Sequence, residues 1–318
     1  MQVKLPRGNK GGPMIINTGG RTDTVQYYTE WLLKRFSEGW VLSRNPLFPN
    51  KVIRYELTPE KVDCVVFCSK NYKPILPRIH EITDRFPTYF YYTITAYGRD
   101  MEPGVPPIEE SIQTLAELSE KVGKGRVAWR YDPVLLTDTY TAERHFETFG
   151  RMAERLAPHV DRCIFSFVEM YKKLDFKMPE LSAISAEQKD RLAQGLGDIA
   201  ARCGLHIQTC GTDDDYSRYG IHSSGCMTLE ILGRANGLEF RDLSHRGMRA
   251  GCHCIESRDI GAYDTCINGC RYCYANTDDR LALENYKRHD PDSPLLLGRI
   301  RPQDQISMAS QKSFLRRR

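Results

Sequence analysis

Short apolar runs rich in β-branched and aromatic residues alternate along the chain with longer amphipathic stretches. Short apolar runs favour buried strands, whereas a 3.6-residue apolar period indicates a helix with one buried face. The predicted strands are Met14–Asn17, Val62–Cys68, Tyr89–Thr95, Arg126–Arg130, Cys163–Val168 and Leu205–Thr209. The predicted helices are Thr24–Glu38, Pro74–Phe86, Pro107–Val122, Ala142–Leu156 and Ala186–Cys203. This alternation predicts an α/β fold with a parallel sheet, in the form of a full or partial, TIM-barrel-like (β/α) barrel.

Polar residues follow the carboxyl end of every predicted strand. In (β/α) barrels the catalytic groups lie on the loops at this end. The candidate catalytic residues are Arg21, Asp23, Lys70, Asn71, Tyr97, Arg130, Asp132 and Glu169. The arginine–aspartate pairs 21/23 and 130/132 also fit a simpler interpretation, as ion pairs that fix loops. For the whole set, a shared polar cavity is the better explanation.

Seven of the eleven cysteines lie between Cys210 and Cys273, and the last three form a CxxxCxxC triplet. Cys266, Cys270 and Cys273 are spaced to bind three irons of a [4Fe–4S] cluster from one loop. Such clusters otherwise take four cysteines, so one iron would remain open. The aromatic Tyr272 precedes the last cysteine, and the loop therefore resembles the CxxxCxΦC motif of radical S-adenosylmethionine (SAM) enzymes.

Disulfides and zinc are the alternative interpretations of the triplet. The stretch from Met1 to Asn17 lacks the apolar segment of a signal peptide, so we expect a cytoplasmic protein with reduced thiols. No apolar run is long enough to span a bilayer, and we expect no membrane contact. Zinc sites favour cysteine pairs and four ligands. Cys270 and Cys273 fit half of such a site, but the additional Cys266 favours iron–sulfur.

Four further cysteines, Cys210, Cys226, Cys252 and Cys254, are enough to close a second site. A single residue separates the last two, which is unusual for a zinc knuckle. A second [4Fe–4S] cluster is therefore favoured, with a four-cysteine zinc site as the alternative. The remaining cysteines are predicted to be small buried hydrophobic residues, and they are Cys64, Cys68, Cys163 and Cys203.

A chain of 318 residues can form one barrel-sized domain or two smaller ones. We predict a barrel over residues 1–278, with the cysteine-rich region at 206–278, and a basic tail over 279–318. The net charge is +4, and the last twenty residues are strongly basic. Their charged side chains are Arg299, Arg301, Lys312, Arg316, Arg317 and Arg318 against a single Asp304. A basic tail can bind nucleic acid, but we expect a solvated, disordered end.

Several segments in order resemble an uncharacterised prokaryotic family, domain of unknown function 1848. They are Arg21-Thr-Asp23, the 62–67 strand with Lys70-Asn71, Trp129–Pro133, Asp259–Cys266 and Tyr286–Pro291. The resemblance implies that Cys266, Cys270 and Cys273 hold the catalytic cluster. It also implies that the other four cysteines, Cys210, Cys226, Cys252 and Cys254, belong to the cysteine pattern of this family. The chain departs from the family at residues 18 to 20, where a Ser/Arg-rich stretch is usual.

The position of the triplet differs from that in ordinary radical SAM enzymes, where it follows the first strand of the barrel. A circularly permuted barrel would explain a triplet that follows six β/α units. Ala262–Thr265 would then take the place of the first strand, with Met14–Asn17 beside it. Gly19 and Gly20 would lie near the amino group of SAM, although a glycine pair after a strand is commonly only a turn.

The resemblance implies an enzyme in which a cluster-bound SAM is cleaved to a 5′-deoxyadenosyl radical that acts on an unknown substrate. A flavodoxin or ferredoxin would supply the electron. The basic residues Arg21, Lys70 and Arg130 would bind anionic groups, and the acidic residues Asp23, Asp132 and Glu169 would orient hydroxyls or move protons. Either Tyr97 or a cysteine outside the clusters would return a hydrogen atom. The alternatives are a metal-stapled protein that binds nucleic acid through the tail, and an iron–sulfur DNA-repair protein that does not use SAM.

Overall fold

The computed structural model describes residues 14–241 and 251–316. Its strands are β1 Ile15–Asn17, β2 Trp40–Arg44, β3 Lys51–Glu56, β4 Cys64–Ser69, β5 Thr88–Thr93, β6 Val127–Val134, β7 Arg162–Phe167, β8 Ile207–Thr209, β9 His222–Ser223, β10 Arg258–Asp259 and β11 Gln305–Met308. Its helices are α1 Thr24–Tyr27, α2 Thr29–Glu38, α3 His80–Thr83, α4 Ile108–Val122, α5 Ala142–Leu156, α6 Leu174–Lys177, α7 Ala186–Arg202, α8 Leu229–Asn236 and α9 Asp279–Lys287.

Eight strands form one sheet in the order β10-β1-β4-β5-β6-β7-β8-β9. All seven pairings are parallel. From β1 to β9 the order follows the chain without reversal, which is the winding of a (β/α) barrel, whereas doubly wound sheets reverse direction. The predicted α/β fold with a parallel sheet is thereby confirmed as a partial (β/α) architecture. Within the described ranges β9 and β10 end the sheet, and closure into a full barrel stays a prediction.

The outer face of the sheet packs against the amphipathic helices. Successive strand residues point to opposite faces, so Phe67, Phe90 and Trp129 all face outward. The Trp129 ring stacks on Phe149 of α5 with ring centroids 4.9 Å apart. Thr141 precedes α5 as its N-cap residue, and its hydroxyl accepts a hydrogen bond from the Arg144 N–H. The main core therefore lies between the sheet and its outer helices.

The inner face of the sheet changes character along the strands. Toward the amino ends it is apolar, and Val66, Tyr89 and Ile164 pack in one cluster with Leu229 and Leu232 of α8. Toward the carboxyl ends the same face carries polar side chains, which are Asn17, Cys68, Arg130, Asp132 and Ser166. α8 thus fills one end of the concave side, and the polar residues line the other.

Several predicted elements differ from the structure in their extent. The predicted helix Thr24–Glu38 is interrupted at Tyr28 and forms α1 and α2. The segment Pro74–Phe86 forms a 3-10 turn and only the four residues of α3. The strand beside β1 is Arg258–Asp259 and not the expected Ala262–Thr265. The segment that leads into the triplet nevertheless pairs with β1 in parallel, in the neighbouring position that a permuted barrel requires.

A second, three-stranded sheet in the order β11-β3-β2 was not predicted. β2 and β3 form an antiparallel hairpin, and β11 pairs in parallel with β3. The expectation of a disordered basic end is therefore wrong for residues 305–308. Asp304 forms ion pairs with Arg44 and Arg301, which neutralises part of the tail. Arg317 and Arg318 lie outside the described residues, and in the part of the chain that is described no helix is long and apolar enough to cross a bilayer.

Candidate metal centres

The triplet loop is fastened to two elements at the carboxyl end of the sheet. The Tyr28 hydroxyl donates to the Thr265 carbonyl at 2.6 Å, and the Tyr27 hydroxyl donates to Oδ1 of Asn268 at 2.8 Å. On the other side, the Gly104 N–H donates to the Asn268 carbonyl at 2.8 Å. A Cβ at Gly104 would lie 2.8 Å from the Asn268 Cα, so only glycine allows this approach. The loop is thus held between α1 and the segment after β5.

The three thiols of the triplet are free and at least partly buried. Burial and the Asp23 carboxylate raise the pKa of the Cys266 thiol to about 12, and burial also raises the pKa of Cys270. The Ala275 N–H donates to the Cys273 sulfur at 3.3 Å, and the backbone N–H groups of Asn268 and Asp23 partly offset the rise in the pKa of Cys266. Such hydrogen bonds stabilise thiolates and tune iron–sulfur clusters. Cysteine ligands with N–H donors around them fit an iron–sulfur cluster.

A buried polar network anchors the triplet to β4 and β5. Oε1 of Glu102 accepts hydrogen bonds from Lys70 Nζ at 2.9 Å, from Thr95 Oγ1 at 2.7 Å and from the Tyr272 hydroxyl. Burial opposes the charge on Lys70, but Glu102 and Cys270 outweigh it and raise the pKa of the ammonium. Lys70 is therefore a fixed cation beside Cys270, and Tyr272 is a structural link. A contact between Tyr272 and a cofactor stays a prediction.

Asp23 lies beside Cys266 and organises the loop after β4. Its carboxylate accepts hydrogen bonds from Ser69 Oγ at 2.6 Å, from the Lys70 N–H at 2.9 Å and from the Gln26 N–H at 3.0 Å. Burial outweighs these bonds and raises the pKa of Asp23. Asn71 uses its Oδ1 to accept the Lys73 N–H at 3.0 Å, which makes it a turn residue. Asp23 thus combines a capping role with proximity to the triplet.

The loop after β1 is attached to the strand that precedes the triplet. The Gly20 N–H donates to Asp259 at 2.7 Å, and the Gly20 carbonyl accepts the Tyr274 hydroxyl. A Cβ at Gly19 would lie 2.0 Å from the Cys68 carbonyl oxygen, so the chain passes too close to β4 for any side chain. Arg21 lies 4.0 Å from Asp259 as an ion pair. Close packing against neighbouring segments therefore explains the glycines at positions 19 and 20, and their contact with SAM stays a prediction.

Tyr97 and Glu169 are engaged in contacts within the protein. The Tyr97 hydroxyl donates to the Pro133 carbonyl at 2.7 Å and accepts the Leu135 N–H at 2.9 Å, and its ring is buried. A hydroxyl held in this way is poorly placed to exchange a hydrogen atom with a substrate. Glu169 accepts a hydrogen bond from the Tyr171 hydroxyl at the end of β7.

A second group of sulfurs lies at the far side of the sheet, where β8 and β9 end. The Sγ atoms of Cys210, Cys226 and Cys254 all lie within 4.8 Å of one another, and those of Cys226 and Cys254 are 3.3 Å apart. Hydrogen bonds from the other two thiols hold the pKa of Cys210 well below its ordinary value. Cys252 interacts with the Cys254 sulfur. Three of the four cysteines that the sequence groups together therefore converge, and the fourth, Cys252, interacts with one of them.

Arg130, which is paired with Asp132, lies near this second group. The Asp132 carboxylate accepts hydrogen bonds from Arg130 and from Ser166 of β7. The Arg130 guanidinium lies 3.7 Å from the Cys68 sulfur and interacts electrostatically with Cys210 and Cys226. The charged candidates Arg21, Asp23, Lys70, Arg130 and Asp132 thus all lie at the carboxyl end of the strands, but their immediate partners differ. Asp23 and Lys70 lie beside the triplet, whereas Arg130 interacts electrostatically with Cys210 and Cys226.

A family model described as Domain of unknown function (DUF1848) matches residues 15–275, which include both groups of cysteines. The chain belongs to this family. No curated protein sequence matches the chain. Membership of DUF1848 supports the resemblance found in the motifs, and the family description names no activity.

Three residues at the triplet were not identified from the sequence. Glu102 collects the hydrogen bonds that fix Tyr272 and Lys70. Tyr274 follows the last cysteine and reaches back to Gly20. Lys173 donates to the Asn276 carbonyl at 2.8 Å and interacts with Cys273. All three act through contacts distant in the chain, and only Tyr274 carried a local signal, its position next to the motif.

Proposed function

We propose that this member of DUF1848 is a radical SAM-type enzyme whose triplet, Cys266, Cys270 and Cys273, binds an open [4Fe–4S] cluster. When bound and reduced, such a cluster with SAM supplies a 5′-deoxyadenosyl radical. The observation that carries the proposal is the triplet itself, presented on one loop at the carboxyl end of a parallel sheet. Active sites of (β/α) folds lie at this end. A closed barrel with a permuted strand order belongs to the same proposal.

The residues around the triplet fit a polar cofactor. The amide of Asn276 donates to the Cys266 carbonyl, while its Oδ1 is buried without a hydrogen-bond partner among the described residues. Burying a polar atom without a partner is costly, so an acceptor in this position suits a ligand that carries N–H groups. The amino group of SAM is such a donor. Lys70 offers a positive charge beside Cys270.

The protein's contribution to the chemistry would be positioning and exclusion of water. Lys70 orients anionic groups, and Asp23 is a buried carboxyl group with a raised pKa that can hold or release a proton. The segment after β7 covers the triplet: Leu174 and Met178 pack in one cluster with Cys270 and Tyr272. A covered site protects a reactive radical from solvent. The substrate stays unassigned, and a flavodoxin or ferredoxin is the proposed electron donor.

The test is anaerobic purification followed by incubation with SAM and a reductant. We expect broad visible absorption that changes when SAM is added, and release of 5′-deoxyadenosine. The matched control is Cys163→Ala, which removes a buried cysteine of the outer core. That variant should keep the activity, whereas Cys270→Ala should lose it. An iron-loaded wild-type protein that neither binds nor cleaves SAM would favour the alternative of an iron–sulfur protein without SAM chemistry.

The nucleic-acid alternative depends on the basic tail. Arg301 is paired with Asp304, and Arg299 lies 3.5 Å from Asp290, so these cations are partly neutralised. If the tail binds nucleic acid, the affinity should fall steeply with salt. Tight binding of duplex or single-stranded nucleic acid at low salt, together with weaker binding by the variant Arg299→Ala, would support this second candidate.

A further inference from the structure

The second group of cysteines lies where the eight-stranded sheet has its two ends. Cys226 follows β9, which is one edge, and Cys254 precedes β10, which is the other. Between these two segments the Ile255 N–H donates to the Met227 carbonyl at 2.7 Å. A Cβ at Gly225 would lie 2.3 Å from the His253 carbonyl oxygen, so glycine is required for the segments to meet. The cysteines therefore bridge the edges of the sheet.

The distances between the sulfurs indicate what they bind. Ligands that share one tetrahedral zinc ion, at about 2.3 Å each, have sulfurs about 3.8 Å apart. The three Sγ atoms lie within 4.8 Å of one another, with one pair at 3.3 Å. In a [4Fe–4S] cube each cysteine binds a different iron, so its sulfurs are spread over separate corners. The observed sulfur spacing favours a single ion over a cube.

The charges around the four cysteines also fit a bound metal. Four thiolates around one divalent ion leave a net charge of −2 in a largely buried site, and a buried charge needs a partner. The Arg130 guanidinium, which is also paired with Asp132, interacts electrostatically with Cys210 and Cys226. It lies 5.9 Å from the ring of Tyr91, whose hydroxyl donates to the Cys226 carbonyl at 2.5 Å. The Nε atom of Arg130 is buried without a hydrogen-bond partner among the described residues. Metal-bound thiolates would give that donor an acceptor.

We propose that Cys210, Cys226 and Cys254, completed by Cys252, bind one zinc-type ion that joins the two edges of the sheet, and that Arg130 is the positioning residue that offsets part of the negative charge of the site. The site is closed and structural, because all four ligands are cysteines. It is independent of the function proposed for the triplet. The ion joins the segment after β9 to the segment before β10, and so holds the strand that leads into the triplet.

The first experiment measures metals in full-length protein that lacks the triplet thiols, the variant Cys266→Ala/Cys270→Ala/Cys273→Ala. We expect about one zinc per chain and no acid-labile sulfide, as for a closed four-cysteine site. Adding Cys226→Ala should remove the zinc, whereas Cys64→Ala, a buried cysteine on the same face of the sheet, should not. About four irons with sulfide in the triplet variant would overturn the proposal, and so would a folded triplet variant without metal.

If the triplet variant does not fold, zinc-edge X-ray absorption of the wild-type protein gives the same answer. Sulfur ligands at about 2.3 Å would support the site, and a first shell of nitrogen or oxygen would overturn it. Failure of the triplet to bind SAM would leave both results unchanged, so the two proposals can fail separately.

The second experiment tests Arg130. Loss of an outer partner of a metal site typically weakens metal affinity about 10- to 100-fold. We expect Arg130→Met to weaken zinc binding by that factor in competition with a chromogenic chelator, and Arg130→Lys to restore most of it. The absorption spectrum of the cobalt-substituted protein should also shift in Arg130→Met, which a change in general stability would not cause. Unchanged zinc affinity and cobalt spectrum would refute the role of Arg130.

Discussion

The carboxylate of Glu102 fastens the triplet loop to the sheet, and its removal should be costly. Glu102→Ala deletes the acceptor shared by Lys70, Thr95 and Tyr272. The side chains of Glu102 and Lys70 are only 3% and 13% exposed, so the ammonium would remain buried without its partner. Breaking a buried ion pair from one side costs about 3–5 kcal/mol. We expect a loss of about 3 kcal/mol in the free energy of unfolding, since Lys70 keeps a little access to water.

The assay is anaerobic urea unfolding followed by far-UV circular dichroism, with Lys70→Met/Glu102→Leu as the second arm. Removing both charges eliminates the unpaired ammonium, so this double variant should be more stable than Glu102→Ala. The matched control is Lys73→Met, which breaks the exposed pair of Lys73 with Glu110. Exposed pairs contribute about 0–1 kcal/mol, so this control should change little. A Glu102→Ala variant that loses no more stability than Lys73→Met would contradict this role of Glu102.

Four other outcomes are expected. Burial lowers the pKa of His145 to about 4, so below pH 6.5 the unfolded chain binds a proton that the folded protein excludes. The free energy of unfolding should therefore fall by roughly 3 kcal/mol as the pH drops from 6.5 to 4. Urea titrations of His145→Gln should lack this dependence on pH. Gly104→Ala should lower iron incorporation because its Cβ would meet Asn268, whereas Gly125→Ala, where a Cβ meets open space, should not. Cys270→Ala should abolish 5′-deoxyadenosine release from a folded protein, and full release measured by chromatography would contradict the triplet assignment. Gly225→Ala should lower zinc content, and an unchanged content would argue against the proposed zinc site.

The helices and strands of the main sheet were largely predictable because burial imposes a period on their sequences. α5 has the predicted bounds, since its apolar stripe and its Thr141 cap both mark it. β11 could not be predicted in this way. All four of its residues are exposed, and the strand exists through backbone pairing with β3. β9 and β10 have two residues each and are too short to show any period.

The cysteines of both candidate centres were predictable, but their arrangement was not. The triplet is a local motif, so its spacing alone indicates chemistry. Cys210 and Cys254 are far apart in the chain, and their approach depends on the parallel order of the sheet and on the close contact at Gly225. Glu102 had no local signal, because its partners Lys70 and Tyr272 come from other loops. Long-range contacts of this kind are set by the fold and leave no periodic mark in the sequence.

The central claim is that Cys266, Cys270 and Cys273 hold an iron–sulfur cluster with an iron open to SAM. Electron paramagnetic resonance of the anaerobically reduced protein, recorded with and without SAM, tests it most directly. The account predicts a cluster signal that changes when SAM is added and that is absent from the variant with all three cysteines replaced by alanine. A signal that does not respond to SAM, or one that persists unchanged in that variant, would contradict it.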